Sequence, residues 1–536
     1  MTIFNQDVII VGSGPSGVSA AFPLIEAGLK VVMIDFGNEQ KNSLKKGSTY
    51  FDLRTKSESN PIFDNLDDWE KISSSSPKLR AVTNKYIFAD YHEKYQPETN
   101  NFILSGSLAA GGLSNAWGAG VGCFDEVDLE KFPITKSDLE KSYQDVAKRI
   151  GVSGVKNDDV SEFHGNGIEL QSATEINCNA KKILNRYQKN PQFANSNDIK
   201  IGRNRIAVLS EKKEEREACS YSGLCVWGCA NKSIYSARFD LEKLKKYPNF
   251  YYISSVFIDK LESGVDGLYE LSGEDKKNST RVKFSGKRII LALGAIATTR
   301  LVLDALKIYD QEIDLVTNPA AGFAFFMPER LGSKVENKVL STGQISLVIA
   351  NKKNPQNYAL ASLFPADAIL SSEYIHHVPF SYPAARKIIL ALQPSMILGN
   401  CFLSGDYSAS KIKINSAGKM QINGAYQDGI LDVVKDIKKR LTKTMMFYGA
   451  FMLPGSFKLT KLGEDIHYAA TLKMRENPTK KYELTKDGEV AAMLGIYVVD
   501  GAALTTLPAK PHSFTIMANA DRIAKNLISA IKEKNL

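Results

Sequence analysis

Between an apolar run at Asp7 to Val11 and a helix-forming run that ends near Gly28 stand three glycines, Gly12, Gly14 and Gly17, spaced Gly-x-Gly-x-x-Gly. The first lets the backbone turn tightly, the second lets a pyrophosphate approach it, and the third lets the helix pack on the strand. The helix N-terminus then offers unpaired N–H groups to the anion. A second apolar run, Lys30 to Ile34, ends at Asp35, eighteen residues beyond Gly17, where an acid accepts a ribose hydroxyl. This is a βαβ unit suited to a dinucleotide. The glycines alone do not choose between FAD and NAD.

The same order of strand, glycine and helix recurs at Arg288 to Leu293, Gly294-Ala295 and a helix through Leu306. A polar region from about Gly37 to Asn101, with four serines at Ser73 to Ser76, reads as loops and short helices inserted after the second strand. A helix is expected over Lys136 to Ile150, capped by Thr135 or Ser137. Tyr309 to Ser456 is strand-rich and lacks cofactor-like glycines, which suits a sheet facing a substrate. Strand Gly495 to Asp500 and a closing helix from Ser513 to Lys532 complete the chain. The expected organisation is an FAD- or NAD-type domain over 1–308, with inserted segments near 40–100 and 150–200. A substrate-binding domain follows over 309–456, and 457–536 return to the first domain. The fold class is α/β, α+β overall: a Rossmann-like domain with a discontinuous antiparallel-sheet domain.

With 536 residues, 43% of them hydrophobic, the chain can bury a large core. Lys and Arg outnumber Asp and Glu by 68 to 59, but the surplus is scattered in small patches, which read as solvated faces and not as a nucleic-acid or anionic-membrane surface. Polar Asn5, Gln6 and Asp7 stand where a secretion signal would have its apolar centre, so the expected compartment is the cytoplasm unless a partner's signal exports the protein. The longest apolar stretch, Ile388 to Leu403, is interrupted by Gln393, Pro394 and Asn400 and reads as a buried element, too short to span a bilayer.

Several segments together resemble the glucose–methanol–choline oxidoreductase family, which uses FAD to oxidise alcohols. Ala110-Gly111-Gly112-Leu113-Ser114-Asn115-Ala116-Trp117-Gly118 resembles its glycine-rich segment along the flavin, and Phe132 to Leu139 resembles its sugar- and gluconate-oxidising branch. Leu291 to Arg300 resembles its second cofactor motif. Val498-Val499-Asp500-Gly501 and Pro508 to Arg522 resemble its flavin-closing strand and helix. The resemblance implies FAD contacts at Gly12, Gly14, Gly17, Asp35, Gly111, Gly112, Ser114, Asn115, Trp117, Gly294, Asp500 and Gly501, and a backbone contact to adenine at Val256. Ala116 stands where some sugar oxidases attach flavin through histidine, so FAD is expected to be non-covalent.

Taking a hydride from an alcohol carbon requires a base for the hydroxyl proton, and histidine suits that work near neutral pH. Of six histidines, His467 and His512 fall at the family's catalytic places. Ala470 departs from the family, which has glycine there. His376-His377, His92 and His164 carry no pattern. Cys219, Cys225 and Cys229 are spaced so that three thiolates could ligate a three-iron, four-sulfur cluster, as in related sugar dehydrogenases. The same cysteines read equally as structural thiols. The expected activity is oxidation of an alcohol group on a sugar, glycoside or polyol, by a dehydrogenase in preference to an oxidase, with an electron-acceptor protein or quinone as partner if the cluster forms. The rival readings are a cofactor-holding relay subunit and a flavin enzyme that desaturates a ring ketone.

Overall fold

The computed structural model describes residues 6–40, 44–52, 81–265, 267–367 and 380–534. The expectations at Ser73 to Ser76 and His376-His377 lie outside these residues. The dinucleotide signature folds as strand β1 (Val8–Val11), helix α1 (Pro15–Glu26) and strand β2 (Val31–Ile34). Both strands are buried at every position, as their unbroken apolar runs require in a parallel sheet covered on both faces. They sit in a six-stranded sheet ordered Glu489–Val490, Met493–Val498, Ile289–Leu291, β1, β2, Phe250–Ile253, parallel throughout except at the Glu489–Val490 edge. The closing helix, Ser513–Lys534, packs on α1 and on the helix Lys136–Ile150. Thr135 is that last helix's cap: Asp138 reaches back and accepts its N–H at 2.7 Å.

A second sheet is antiparallel and discontinuous in sequence. Its order is Phe451–Met452, Ala320–Phe326, Met396–Phe402, Ala359–Pro365, Ile345–Ile349, Ile199–Arg203. The edge strand Ile199–Arg203 comes from far upstream of the 309–456 stretch. Side chains alternate between its faces. Ile397, Cys401, Ala361, Leu363 and Leu347 pack with helices Cys178–Lys189 and Ile430–Phe447, while Leu398, Asn400, Phe402, Ser362 and Phe364 face a cavity.

The fold class expected from the sequence is the one observed. Two local readings differ. The stretch read as strand-rich also contains the eighteen-residue helix Ile430–Phe447, which lays one apolar stripe on the back of the sheet. The apolar run Ile388 to Leu403 is the end of one helix, a single tight turn at Gln393–Ser395, and the strand Met396–Phe402, buried from Gln393 to Gly399. Among the described residues no helix is long and apolar enough to cross a membrane.

Candidate active site

A cavity of 1210 Å³ is lined by residues of both sheets. At its β1 end the three glycines divide the work as their spacing implies. Gly12 has φ +103°, and a Cβ there would strike the carbonyl of Ala292. One on Gly17 would strike the carbonyl oxygen of Gly12. One on Gly14 would meet nothing, because that side opens on the cavity. Asp35 also lines the cavity, and burial pushes its carboxyl up to about 6. Ser13, which the motif spacing did not single out, donates its hydroxyl to Asp35 and accepts the N–H of Gly111 at 3.0 Å. It thus ties the two glycine-rich loops together. Tyr252 donates to the same carboxylate at 3.4 Å.

Gly112, Ser114, Trp117, Val256, Gly294, Asp500 and Gly501 all reach the cavity wall. Gly17, Gly111 and Asn115 do not; they shape the loops behind it. Asn115 donates to the carbonyls of Ala110 and Gly112 at 2.9 and 2.8 Å, and Ser114 donates to that of Gly111 at 2.6 Å. Trp117 donates its indole N–H to the Tyr235 carbonyl at 2.8 Å, and the Val256 N–H goes to the Asp35 carbonyl at 3.1 Å. Asp500 accepts from the Gly294 N–H at 2.9 Å, the Ala502 N–H at 3.0 Å and the Thr298 hydroxyl. These bonds pin the helix Ala295–Ala305 to the C-terminal block. Burial pushes Asp500 up to about 6.

His467 and His512 meet in the same cavity. Their ring centroids are 4.4 Å apart and their planes near perpendicular, at 80°. The Phe402 ring lies 4.7 Å from that of His467. Behind His467 stands Asn318, whose amide nitrogen donates to the carbonyls of Leu403, Leu507 and Pro508 at 2.8, 3.2 and 3.1 Å. With its nitrogen so committed, the amide presents its oxygen to His467 Nδ1 at 3.0 Å. Nδ1 therefore carries the ring proton, and Nε2 keeps a free lone pair.

Burial, with a smaller contribution from His512, holds His467 well below its ordinary basicity, and burial brings His512 down to about 4. Both rings are neutral at pH 7. The His467 side chain still keeps 24% of its surface open, so it is walled off from bulk water but not from the cavity it lines. Asp465 lies 3.9 Å from Nδ1 and accepts the Asn318 N–H at 3.0 Å; burial pushes its carboxyl up to about 8. Ala470 has φ +60°, the left-handed region, which accounts for the glycine the resemblance led one to expect there.

The cysteine segment reaches the same cavity through Val226, and the Cys225 N–H goes to the Oγ of Ser341, another wall residue, at 3.2 Å. Cys219 Sγ accepts the Tyr221 N–H at 3.4 Å, and Cys229 Sγ accepts the Ser233 N–H at 3.2 Å. Burial pushes the Cys219 thiol up to about 12. Trp227, between Cys225 and Cys229, is fully buried against Tyr50 in a small apolar cluster with Leu224 and Val226. Among the described residues no group of three or more His, Cys, Asp or Glu side chains is arranged to hold a metal ion. His92 sits 2.9 Å from the Leu104 carbonyl, and His164 is buried 3.1 Å from the Ser346 hydroxyl.

Residues 5–51 match the sequence profile of the FAD binding domain. The chain has an FAD-binding fold. The fit is visible in the cavity, whose glycine cradle is open at Gly14 and flanked by Asp35, so the choice the glycines left open falls to FAD. Pyridoxine 4-oxidase from Mesorbium loti is similar in structure at 14% identity, with 97% of this chain and 99% of that chain covered and a TM-score of 0.58. A fungal aryl-alcohol oxidase is similar at 13% identity over 98% and 99%, with a TM-score of 0.59. The R554A variant of formate oxidase from Aspergillus oryzae RIB40 is similar at 13% identity over 99% of both chains, with a TM-score of 0.64. These likenesses establish a shared fold along nearly the whole length of each chain. No curated protein sequence matches the chain.

Proposed function

We propose that the protein oxidises a CH–OH group of a small-molecule alcohol, on a sugar, glycoside or polyol, to the carbonyl. The observation that carries this reading is the pair His467 and His512, two neutral imidazoles in contact on the cavity wall, one with its Nε2 lone pair free. FAD, when bound, supplies the acceptor for the hydride that leaves the carbinol carbon. His467 Nε2 takes the hydroxyl proton, with Asn318 holding the ring in the tautomer that can do so. His512 shares the same oxygen: its Nδ1 is enclosed without a partner, which leaves Nε2 for the cavity. The mainly apolar wall of Phe402, Leu360, Leu398 and Phe364 keeps water from this step.

An aryl-alcohol oxidase among the structural neighbours is named for a substrate of this kind, and all three neighbours are named oxidases, which favours oxygen as acceptor. An electron-acceptor protein or quinone belongs to the reading in which Cys219, Cys225 and Cys229 hold a cluster. Convergence of the two histidines favours alcohol oxidation over a relay role or ring-ketone desaturation. The test is anaerobic bleaching of the flavin band by a panel of alcohols, repeated with His467→Ala and His512→Ala. Each variant should keep FAD and reduce it roughly 10²–10⁴-fold more slowly, the range for losing a positioned acid or base. Near-normal reduction in both would refute the assignment.

A further inference from the structure

The cavity wall that runs from His467 along the antiparallel sheet is mainly apolar, yet one row of it is polar. Strand pairing sets Asn400 of Met396–Phe402 directly across from Ser362 of Ala359–Pro365 on one side and Gly322 of Ala320–Phe326 on the other. All three line the cavity. The rows on either side of this one are apolar: Phe402 with Leu360 and Ala320, and Leu398 with Phe364 and Ala324.

Asn400 makes no side-chain hydrogen bond among the described residues. Its Oδ1 is enclosed without a donor, and Nδ2 is the end left to the cavity. Turning the amide over would exchange the two ends and still leave one unpaired. The Ser362 hydroxyl likewise has no partner among the described residues. Beside Asn400 the wall is recessed, since a Cβ on Gly322 would touch nothing. Asn204 borders the same patch: its amide nitrogen is the atom nearest to a Cβ built on Gly343, and the Ser362 Cβ is 3.5 Å from that position.

A ligand that covers an unpaired amide and hydroxyl with hydrocarbon forfeits their hydration, whereas one that hydrogen-bonds them does not. A hydroxyl group both donates and accepts, so it matches an amide and a serine hydroxyl side by side. We infer that Asn400 and Ser362 form a subsite for a second hydroxyl of the substrate, so that the molecule oxidised is a polyhydroxylated alcohol and not a simple alkanol or aryl alcohol. The distance fits one small molecule. Phe402 touches His467, and Asn400 is two residues away along an antiparallel strand, about 6.8 Å. That separation suits a carbinol carbon and a second hydroxyl carried on the same or an adjoining six-membered ring. The recess at Gly322 gives the ring room.

This inference rests on the proposed alcohol oxidation, and the experiment separates the two. Holoenzyme is mixed anaerobically with cyclohexanol, the cyclohexanediols and methyl hexopyranosides, and kred/Kd for flavin bleaching is measured for each. The best polyol should exceed cyclohexanol by about tenfold or more, the scale of one hydrogen bond made against one left unmade. Asn400→Leu and Ser362→Ala should each lower that polyol-to-cyclohexanol ratio by about tenfold. Cyclohexanol equalling the best polyol in the unaltered enzyme, or a ratio unchanged in both variants, would overturn the subsite while leaving alcohol oxidation standing. Failure of every compound to bleach the flavin would overturn alcohol oxidation itself, and the subsite with it.

Discussion

Replacing Asn318 tests the arrangement at His467 more sharply than removing the histidine. In Asn318→Leu the Nδ1 proton loses its acceptor at 3.0 Å, and the carbonyls of Leu403, Leu507 and Pro508 lose the two amide N–H groups they share, Leu507 keeping the Gly405 N–H at 2.7 Å. A net hydrogen bond contributes about 0.5–1.5 kcal/mol, so the two lost N–H donors should cost about 1–3 kcal/mol of stability, visible in a thermal melt. The catalytic consequence is separate. Without Oδ1 the two imidazole tautomers compete, and the form with a free Nε2 is no longer favoured by that bond. Flavin reduction should slow about 2- to 13-fold, far less than loss of the imidazole.

A structural effect alone could slow the enzyme, so the deciding variant is Asn318→Asp. The unaltered base works unprotonated, and burial holds its pKa well below 6.5. Reduction should therefore stay level through neutral pH and fall only in acid. A carboxylate beside Nδ1 favours the imidazolium, so the acid limb of the Asp variant should move up toward neutral pH. Stopped-flow reduction from pH 5 to pH 9 reads this directly. An unchanged rate in the Leu variant together with an unmoved limb in the Asp variant would refute the positioning role.

Gly14→Val should strip FAD from the protein, because the only side of Gly14 free for a side chain is the cavity; flavin absorbance after gel filtration measures the loss, and retention at full occupancy would contradict it. In the unaltered protein acid precipitation should leave the flavin in the supernatant, since Ala116 offers no nucleophile; a yellow pellet would disprove non-covalent binding. Iron and acid-labile sulfide should fall well short of one cluster per chain in protein purified anaerobically, since no three described His, Cys, Asp or Glu side chains are arranged to hold a metal ion. Stoichiometric amounts of both would restore the cluster.

The cofactor half of the site was legible in the linear chain. Gly12, Gly14, Gly17 and Asp35 act within one turn and two neighbouring strands, so their spacing is itself the geometry: a phosphate needs successive N–H groups, and those come from consecutive residues. Asp500 and the histidines were legible because short segments carry them in a recognisable order. What these segments face was decided by the tertiary fold. His467 and His512 are forty-five positions apart, and only the packing of the C-terminal block over the cavity brings their rings to 4.4 Å. Asn318, Asp465, Phe402, Asn400 and Ser362 left no signal, since each acquires its role from the register of a strand or from carbonyls on remote segments.

The cysteines show the converse. Their spacing is compatible with a cluster or with a plain loop, and what surrounds the sulfurs, a buried Trp227 and a backbone N–H at two of them, comes only from how the loop packs. Sequence spacing specifies the path of a short backbone, whereas a site assembled from a sheet face depends on register. A shift of one residue turns every side chain to the opposite side, and only the packing of the whole sheet, with helices behind it and the cavity in front, selects which face carries the chemistry.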